Sequence, residues 1–270
     1  MERHIVICGD SRSMKEVKDK SVHLVITSPP YNVEKEYENF KDEKEYFKFL
    51  EQVLRECYRV LIKGGRLAIN VPNAVASKTD RIKFISPKIS QICKKIGFKE
   101  REWIAWVKGK SETHFQGNNT AWGSWMSPSN PYMRPLSESI LIFSKGSHKL
   151  IGDAKDIDIT GEEFKEWTKN VWFIPNEYSS NHPCVFPEEM IKRLIKLYTY
   201  KGNTILDPFL GSGTTTVVAR KLNRNSIGYE INPKYVIDVK NRLNYNQKTL
   251  TDDEVILKNA IQISHKSRNH

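Results

Sequence analysis

The stretch from Thr204 to Glu230 constrains this chain more than any other. An apolar run, Thr204-Ile205-Leu206-Asp207, stops at Pro208, and the turn Pro208-Phe209-Leu210-Gly211-Ser212-Gly213-Thr214-Thr215 leads into a helix carrying Val217, Val218 and Leu222. A further strand, Ser226 to Ile231, then ends with Glu230, an acid about twenty residues beyond the turn. Strand, Gly-x-Gly turn, helix and acid-tipped strand make up half of a Rossmann fold, so the chain is expected to be α/β with a largely parallel sheet. Gly211 and Gly213 let the backbone come close to a ligand, and Glu230 can accept from both hydroxyls of a ribose.

A dinucleotide is the obvious ligand for such a turn, but Asp207-Pro208 sets a carboxylate where a pyrophosphate would have to approach. A carboxylate suits a ligand with a cationic amino-acid part. S-Adenosyl-L-methionine carries an adenosine and a methionine ammonium, groups that Asp10, Asp207 and Glu230 can serve.

A second segment points to the same edge of the sheet. Val22-His23-Leu24-Val25-Ile26 is halted by Thr27-Ser28-Pro29-Pro30-Tyr31-Asn32. The two prolines fix φ and lack N–H groups, so they make a short rigid corner whose carbonyls remain free to face a ligand. With the Ser28 hydroxyl and the Tyr31 ring, this corner suits a planar group bearing an amine. Taken alone, an ordinary proline-terminated strand explains the hexapeptide equally well. The strand Arg3 to Cys8 leads into Gly9-Asp10, which delivers another carboxylate to that edge, where open α/β sheets bind ligands.

At 270 residues the chain is long enough for one large domain with an insertion. No apolar run reaches membrane-spanning length and Met1-Glu2-Arg3-His4 leads straight into a strand, so a cytoplasmic protein is expected. Cys8, Cys57, Cys93 and Cys184 are scattered without a CxxC pair and read as buried thiols; no metal site is expected. A net charge of +11 favours a polyanionic partner, nucleic acid first, with a generally basic surface as the alternative.

Along the chain, Ser13 to Lys20 reads as a polar helix or turn and 33 to 42 as a loop. Tyr46, Phe47, Leu50, Val53, Leu54, Cys57, Tyr58 and Leu61 recur at helical spacing, and Lys63-Gly64-Gly65 is expected to end that helix. Arg66 to Val71 is a strand closed by Pro72. Pro87 to Ile96 is a helix capped by Ser86 and stopped at Gly97, and Glu102 to Val107 and Ser139 to Phe143 are strands. The intervening segment from Lys108 to Leu136 is long enough inside a compact domain that a functional or a disordered loop is expected. Its Lys108, Lys110, His114, Asn118, Asn119, Trp122, Trp125 and Arg134 mix basic, amide and aromatic groups suited to phosphates and bases, although tryptophan packing would also explain the tryptophans. Residues 144 to 180 read as an irregular excursion with Lys145, His148, Lys149, Trp167, Lys169 and Trp172 as candidate contacts. Helices follow from Glu188 to Tyr198 and around Tyr235, Val236, Val239 and Leu243, and a polar, frayed tail follows Asn246.

Asp207-Pro208-Phe209-Leu210-Gly211-Ser212-Gly213-Thr214-Thr215 resembles the cofactor motif of the DNA amino-methyltransferases, and Thr27-Ser28-Pro29-Pro30-Tyr31 resembles their catalytic motif. The catalytic half comes first, as in the beta group of that family. His182-Pro183 with Phe186-Pro187, Gly9-Asp10 and Gly228-Tyr229-Glu230-Ile231-Asn232-Pro233 resemble its other cofactor-contacting segments, so the likeness runs from Ile5 to Leu243. It implies a circularly permuted Rossmann-like methyltransferase sheet, mostly parallel with one antiparallel strand near an edge, and an inserted target-recognition region. The expected division is 1–107 for the catalytic half, 108–180 for the insertion with a core strand near 139–143, 181–246 for the cofactor half and 247–270 for the tail.

The resemblance also implies a reaction: methyl transfer from S-adenosyl-L-methionine to an exocyclic amine of a base flipped out of double-stranded DNA. In that family a serine at the first catalytic position goes mainly with cytosine N4, and Asp or Asn with adenine N6. Ser28 therefore points to cytosine N4, with adenine N6 as the alternative; a restriction endonuclease is a candidate partner, and the chain is expected to be a monomer or a homodimer. A C5-cytosine enzyme would need a nucleophilic cysteine, and Pro183-Cys184 stands away from the catalytic corner. A non-catalytic DNA-binding module with an inherited pocket is the competing class.

Overall fold

A computed structural model describes residues 2–31, 42–76, 82–111, 114–115, 123–133, 135–177, 186–243 and 254–259. In chain order, β1 (Arg3–Cys8) and β2 (Val22–Thr27) are followed by helix α1 (Glu43–Val60) and β3 (Leu61–Pro72). A small hairpin of β4 (Ala74–Ala76) and β5 (Ile82–Phe84) precedes α2 (Ser86–Ile96) and β6 (Phe98–Val107). A second small hairpin, β7 (Gly109–Ser111) with β8 (His114–Phe115), leads on to β9 (Ser137–Lys145), α3 (Gly161–Trp167) and β10 (Val171–Phe173). The last part holds α4 (Glu188–Tyr198), β11 (Thr204–Asp207), α5 (Thr214–Lys221), β12 (Asn225–Glu230), α6 (Pro233–Arg242) and β13 (Glu254–Asn259).

Nine of the described strands form one sheet in the order β10-β6-β9-β3-β2-β11-β12-β1-β13, and the other four make the two hairpins. Only β9 within it runs antiparallel to its neighbours, third from one edge. This is the mostly parallel sheet expected. The strands read as continuous apolar runs because both faces are covered. Along β9, Leu141 and Phe143 face the core beneath α1 and α2, while Ile140 and Ile142 face the core beneath α4 and α5. On α1, Leu50, Val53, Leu54 and Cys57 form the buried stripe that the sequence spacing predicts.

Several boundaries differ from expectation. Helix α1 ends at Val60, ahead of Lys63-Gly64-Gly65, because Leu61 is fully buried in β3 and Lys145 Nζ caps the exposed carbonyls of Tyr58 and Leu61 at 2.5 and 2.7 Å. The two glycines instead sit in an irregularity of β3, where pairing with β2 jumps from Val22↔Leu61 to Leu24↔Arg66. Gly64 is required there: its φ is +80°, and a Cβ would lie 2.2 Å from the Lys149 carbonyl oxygen. Ser86 is the first residue of α2 and makes no cap; Ile85 precedes it, and Gly97 ends the helix in the left-handed region as expected.

Strand β6 starts at Phe98, earlier than its apolar half indicates, because β9 pairs with it along its full length. The stretch 144–180 is less irregular than its sequence suggests. Thr160 and Glu163 form a reciprocal capping box that starts α3, and β10 adds a parallel edge strand. Trp167 and Trp172 are buried under Arg193 and are core residues, not surface contacts. The tail also contributes: β13 pairs in parallel with β1, and Leu257 packs beside Val6, Leu210 and Val239. Among the described residues, no helix is long and apolar enough to cross a membrane. Cys8, Cys57 and Cys93 are buried free thiols; Cys184 lies outside the described residues.

Candidate active site

Parallel strands β1, β2, β3, β6, β11 and β12 all end at one edge of the sheet, and antiparallel β9 begins there. Their tips surround a cavity of about 680 Å³ that takes in Asp10, the corner Ser28–Tyr31, and the turn residues Pro208, Phe209, Gly211, Ser212, Thr214 and Thr215. Glu230 and Phe186 also line it. The two segments singled out in the sequence thus share one cavity.

Asp207 and Gly213 lie beneath the turn, outside that lining. Asp207 is 2 % exposed; its Oδ1 accepts from Phe209 N at 3.0 Å and its Oδ2 from Thr215 Oγ1 at 2.7 Å. Burial pushes its carboxyl up to about 6, against the pull of these bonds. Asp207 therefore shapes the turn and does not itself reach a ligand ammonium. Gly213 has φ +83° and precedes α5, and a Cβ there would crowd Val239 at 2.8 Å. Arg242 of α6 braces the same turn, donating to the Ser212 carbonyl at 2.8 Å and to Thr214 Oγ1 at 3.1 Å. Its place one helix beyond the motif left no sequence signal.

Of the three carboxylates expected at the cofactor, Asp10 and Glu230 line the cavity. Glu230 accepts from Gly211 N at 2.9 Å and Asn232 N at 2.7 Å, and burial raises its pKa. These bonds hold the turn against the tip of β12 while the carboxylate still borders the cavity. Burial pulls Asp10 upward as well, but the bonds from Arg12 prevail and its pKa is lowered, so Asp10 stays ionised. Phe49 and Phe209 stand 5.8 Å apart as apolar walls. Two acceptor carboxylates, apolar rings and glycine-permitted backbone fit a nucleoside that carries an amino-acid ammonium. Asp10, Glu230 and the turn 208–215 are the residues that would hold S-adenosylmethionine.

At the opposite end, Ser28 Oγ–H donates to the Tyr31 hydroxyl at 2.9 Å, and Tyr31 donates to Glu138 Oε2 at 2.9 Å. Asn70 Nδ2 donates to both, at 2.8 Å to Tyr31 and 2.6 Å to Glu138. Lys108 Nζ forms an ion pair with the other Glu138 oxygen. Glu138 and Asn70 were not singled out by the sequence. Glu138 opens the antiparallel strand, which alone among the described sheet strands brings its N-terminal end to this edge, so no strand-tip rule points to it.

Of the residues expected at DNA, Lys108, Lys110 and Trp125 have described side chains. Lys108 sits in the cavity, engaged by Glu138, and not on the open surface. Lys110 is exposed on β7, and Trp125, 65 % exposed, stands on a loop beside the exposed Met126 and Met133. That loop is rooted at the cavity by the bond from Lys108 N to the Leu136 carbonyl at 2.9 Å. His114 contributes backbone to β8. Its side chain, and Asn118, Asn119, Trp122, Arg134 and His182, lie outside the described residues.

A permuted Rossmann-like sheet with a glycine turn facing a Ser-Pro-Pro-Tyr corner defines a methyltransferase. The DNA methylase model that covers N6 and N4 methyltransferases matches residues 22–241, and the chain belongs to that family, which uses S-adenosylmethionine as methyl donor. It is 34 % identical over 292 residues to the Type II methyltransferase M.MjaI of Methanocaldococcus jannaschii, covering 93 % of this chain and 94 % of that one. It is also 29 % identical over 252 residues to the DNA adenine methyltransferase YhdJ of Escherichia coli, covering 87 % and 81 %. The solved structure of TTHA0409 from Thermus thermophilus, complexed with S-adenosyl-L-methionine, superposes with a TM-score of 0.76 at 27 % identity over 96 % of this chain and 99 % of that one.

Proposed function

We propose that this chain methylates the exocyclic N4 amine of cytosine in a specific DNA sequence, as the modification enzyme of a restriction-modification system. The observation that carries the reading is the direction of the hydrogen bonds at Ser28. Because Glu138 can only accept, Tyr31 donates to it, and Ser28 donates to Tyr31. The lone pairs of Ser28 Oγ are thereby left to accept from an amine.

An aromatic amine is a poor nucleophile because its lone pair is delocalised into the ring. When bound, S-adenosylmethionine supplies an electrophilic methyl group on a sulfonium. Ser28 Oγ and the Pro29 carbonyl accept the two amine N–H bonds, which lets the nitrogen pyramidalise and turn its lone pair toward the cofactor end of the cavity. The Tyr31 ring offers a stacking surface for the base, worth about 1–3 kcal/mol against the few kcal/mol of unstacking needed to flip it. No covalent enzyme intermediate is required.

Adenine N6 is the second reading, favoured by the likeness to an adenine methyltransferase over most of this chain. Digestion of DNA methylated by the purified protein, followed by mass identification of the modified nucleoside, decides between them. N4-Methylcytosine is the expected product, and N6-methyladenine as the sole product would sink the cytosine assignment. Absence of any methyl transfer with labelled cofactor would leave a DNA-binding module with an inherited pocket.

A further inference from the structure

Glu138 is 8 % exposed and lies at the acceptor end of the cavity, where the methyl-transfer reading uses it only as the acceptor for the Tyr31 hydroxyl. Its partners among the described residues are all donors: Tyr31 Oη and Asn70 Nδ2 on Oε2, and Lys108 Nζ on Oε1. Lys108 lies 5.2 Å over the Trp106 ring, and the Trp106 indole donates to the Ile174 carbonyl at 2.8 Å, so the ammonium is held from behind. A buried carboxylate in this position is compensated by a cation and two neutral donors, and its acceptor character is fixed.

We infer that Glu138 is a positioning residue that sets the polarity of the Ser28–Tyr31 hydroxyl pair, and that Lys108 holds it in place. The inference rests on the amine-transfer reading of Ser28. With a carboxylate at 138, the direction open to the chain is Ser28 to Tyr31 to Glu138, which turns the Ser28 proton away from the substrate. The substitution Glu138→Gln breaks that direction. Lys108 can only donate, so it claims the new amide oxygen and turns the amide NH₂ toward Tyr31. The Asn70 amide accommodates this by presenting its Oδ1, which has no hydrogen-bond partner among the described residues. Tyr31 then accepts from the substituted side chain and its proton is no longer drawn to a carboxylate: it goes to the flipped Asn70 oxygen or to Ser28, and on Ser28 it occupies a lone pair and frees the Ser28 proton to meet the amine head-on, donor against donor.

The test is a double-mutant cycle on turnover with tritiated S-adenosylmethionine and unmethylated genomic DNA. Glu138→Gln is expected to lower kcat by about three- to tenfold, up to the effect of one misdirected hydrogen bond, with cofactor Kd unchanged, and an unchanged kcat overturns the inference. Tyr31→Phe keeps the ring for stacking but cuts the relay, so adding Glu138→Gln to it is expected to change kcat by less than about twofold. Factors that multiply in the double variant, or a Glu138→Gln loss seen in cofactor Kd and not in kcat, would overturn the inference and leave Glu138 a structural ion-pair partner. If Glu138→Gln does not fold, Glu138→Asp, which keeps the carboxylate but shortens its reach to Tyr31, takes its place in the same cycle: its loss in kcat should vanish in the Tyr31→Phe background, and a further loss there overturns the relay. A wild-type protein that places no methyl group on an exocyclic amine overturns the underlying reading as well, an outcome distinct from an active wild type with additive variants.

Discussion

Thr215 Oγ1 donates to Asp207 Oδ2 at 2.7 Å, tying the first turn of α5 to the last residue of β11 beneath the glycine turn. This bond and that from Phe209 do not offset the burial of the carboxyl, which is raised from 3.8 to about 6, the nearby Glu230 adding to the shift. An acid whose pKa is higher folded than unfolded is deprotonated first in the unfolded chain as pH rises. Its contribution to stability is therefore full below about pH 4, declines between about pH 4 and pH 6, and is lost above. Asp207→Asn keeps an acceptor for Phe209 N–H and offers its NH₂ to the threonine oxygen, and it does not titrate. Urea unfolding across that window should show a smaller decline for Asp207→Asn than for the wild type. Equal declines would mean that Asp207 is not the group responsible.

Ser28→Ala removes the acceptor and leaves Tyr31, Asn70 and Glu138 bonded to one another. The loss falls on the transition state, where the amine nitrogen must be held pyramidal, so kcat should drop about 10²-fold. On the proposed assignment of cofactor binding to the Asp10 and Glu230 end of the cavity, cofactor affinity should stay within about twofold. Turnover equal to the wild type would remove the hydroxyl from the mechanism.

Much of this site was legible in the sequence because its parts are local. The glycine turn, the proline corner and Gly9-Asp10 each follow an apolar run directly, and parallel strands ending at one edge bring such tips together without further information. Glu138 and Asn70 were not legible, since one opens an antiparallel strand and the other lies inside a buried run where it reads as a lone polar residue. Arg242 reaches the turn from a different helix. Strand β13 was hidden in a polar tail because three apolar residues, Val255, Ile256 and Leu257, matter only once the β1 edge is there to pair with them. The end of α1 was misplaced for a similar reason: local glycines argued for 63–65, while the distant Lys145 caps it earlier.

DNA affinity should fall steeply with salt. A chain of net charge +11 that uses its lysines and arginines on phosphates releases counterions, and log K should decline linearly with log salt at about −0.9 per phosphate contacted. Lys110 is exposed on β7, two residues beyond the cavity-lining Lys108. Lys110→Ala should reduce the slope by about 1 without altering which sequence is methylated. Filter binding across a salt series reads both quantities, and a salt-insensitive affinity would count against phosphate contacts as the use of the basic balance.

Arg224 joins the end of α5 to the segment before α3. Its side chain is fully buried, and the guanidinium meets Asp158 through two bonds, Nη1 to Oδ2 at 2.5 Å and Nη2 to Oδ1 at 2.8 Å, with further bonds to the Thr199 and Leu222 carbonyls at 2.9 and 2.6 Å. Removing the carboxylate leaves a cation in the interior with only neutral acceptors, so Asp158→Ala should destabilise the fold by about 3–5 kcal/mol in urea unfolding. Asp158→Asn retains one acceptor and should lose less. Because neither Asp158 nor Arg224 lines the cavity, activity per folded molecule should be retained in Asp158→Asn, and a fall in kcat without a fall in stability would show that this ion pair communicates with the site.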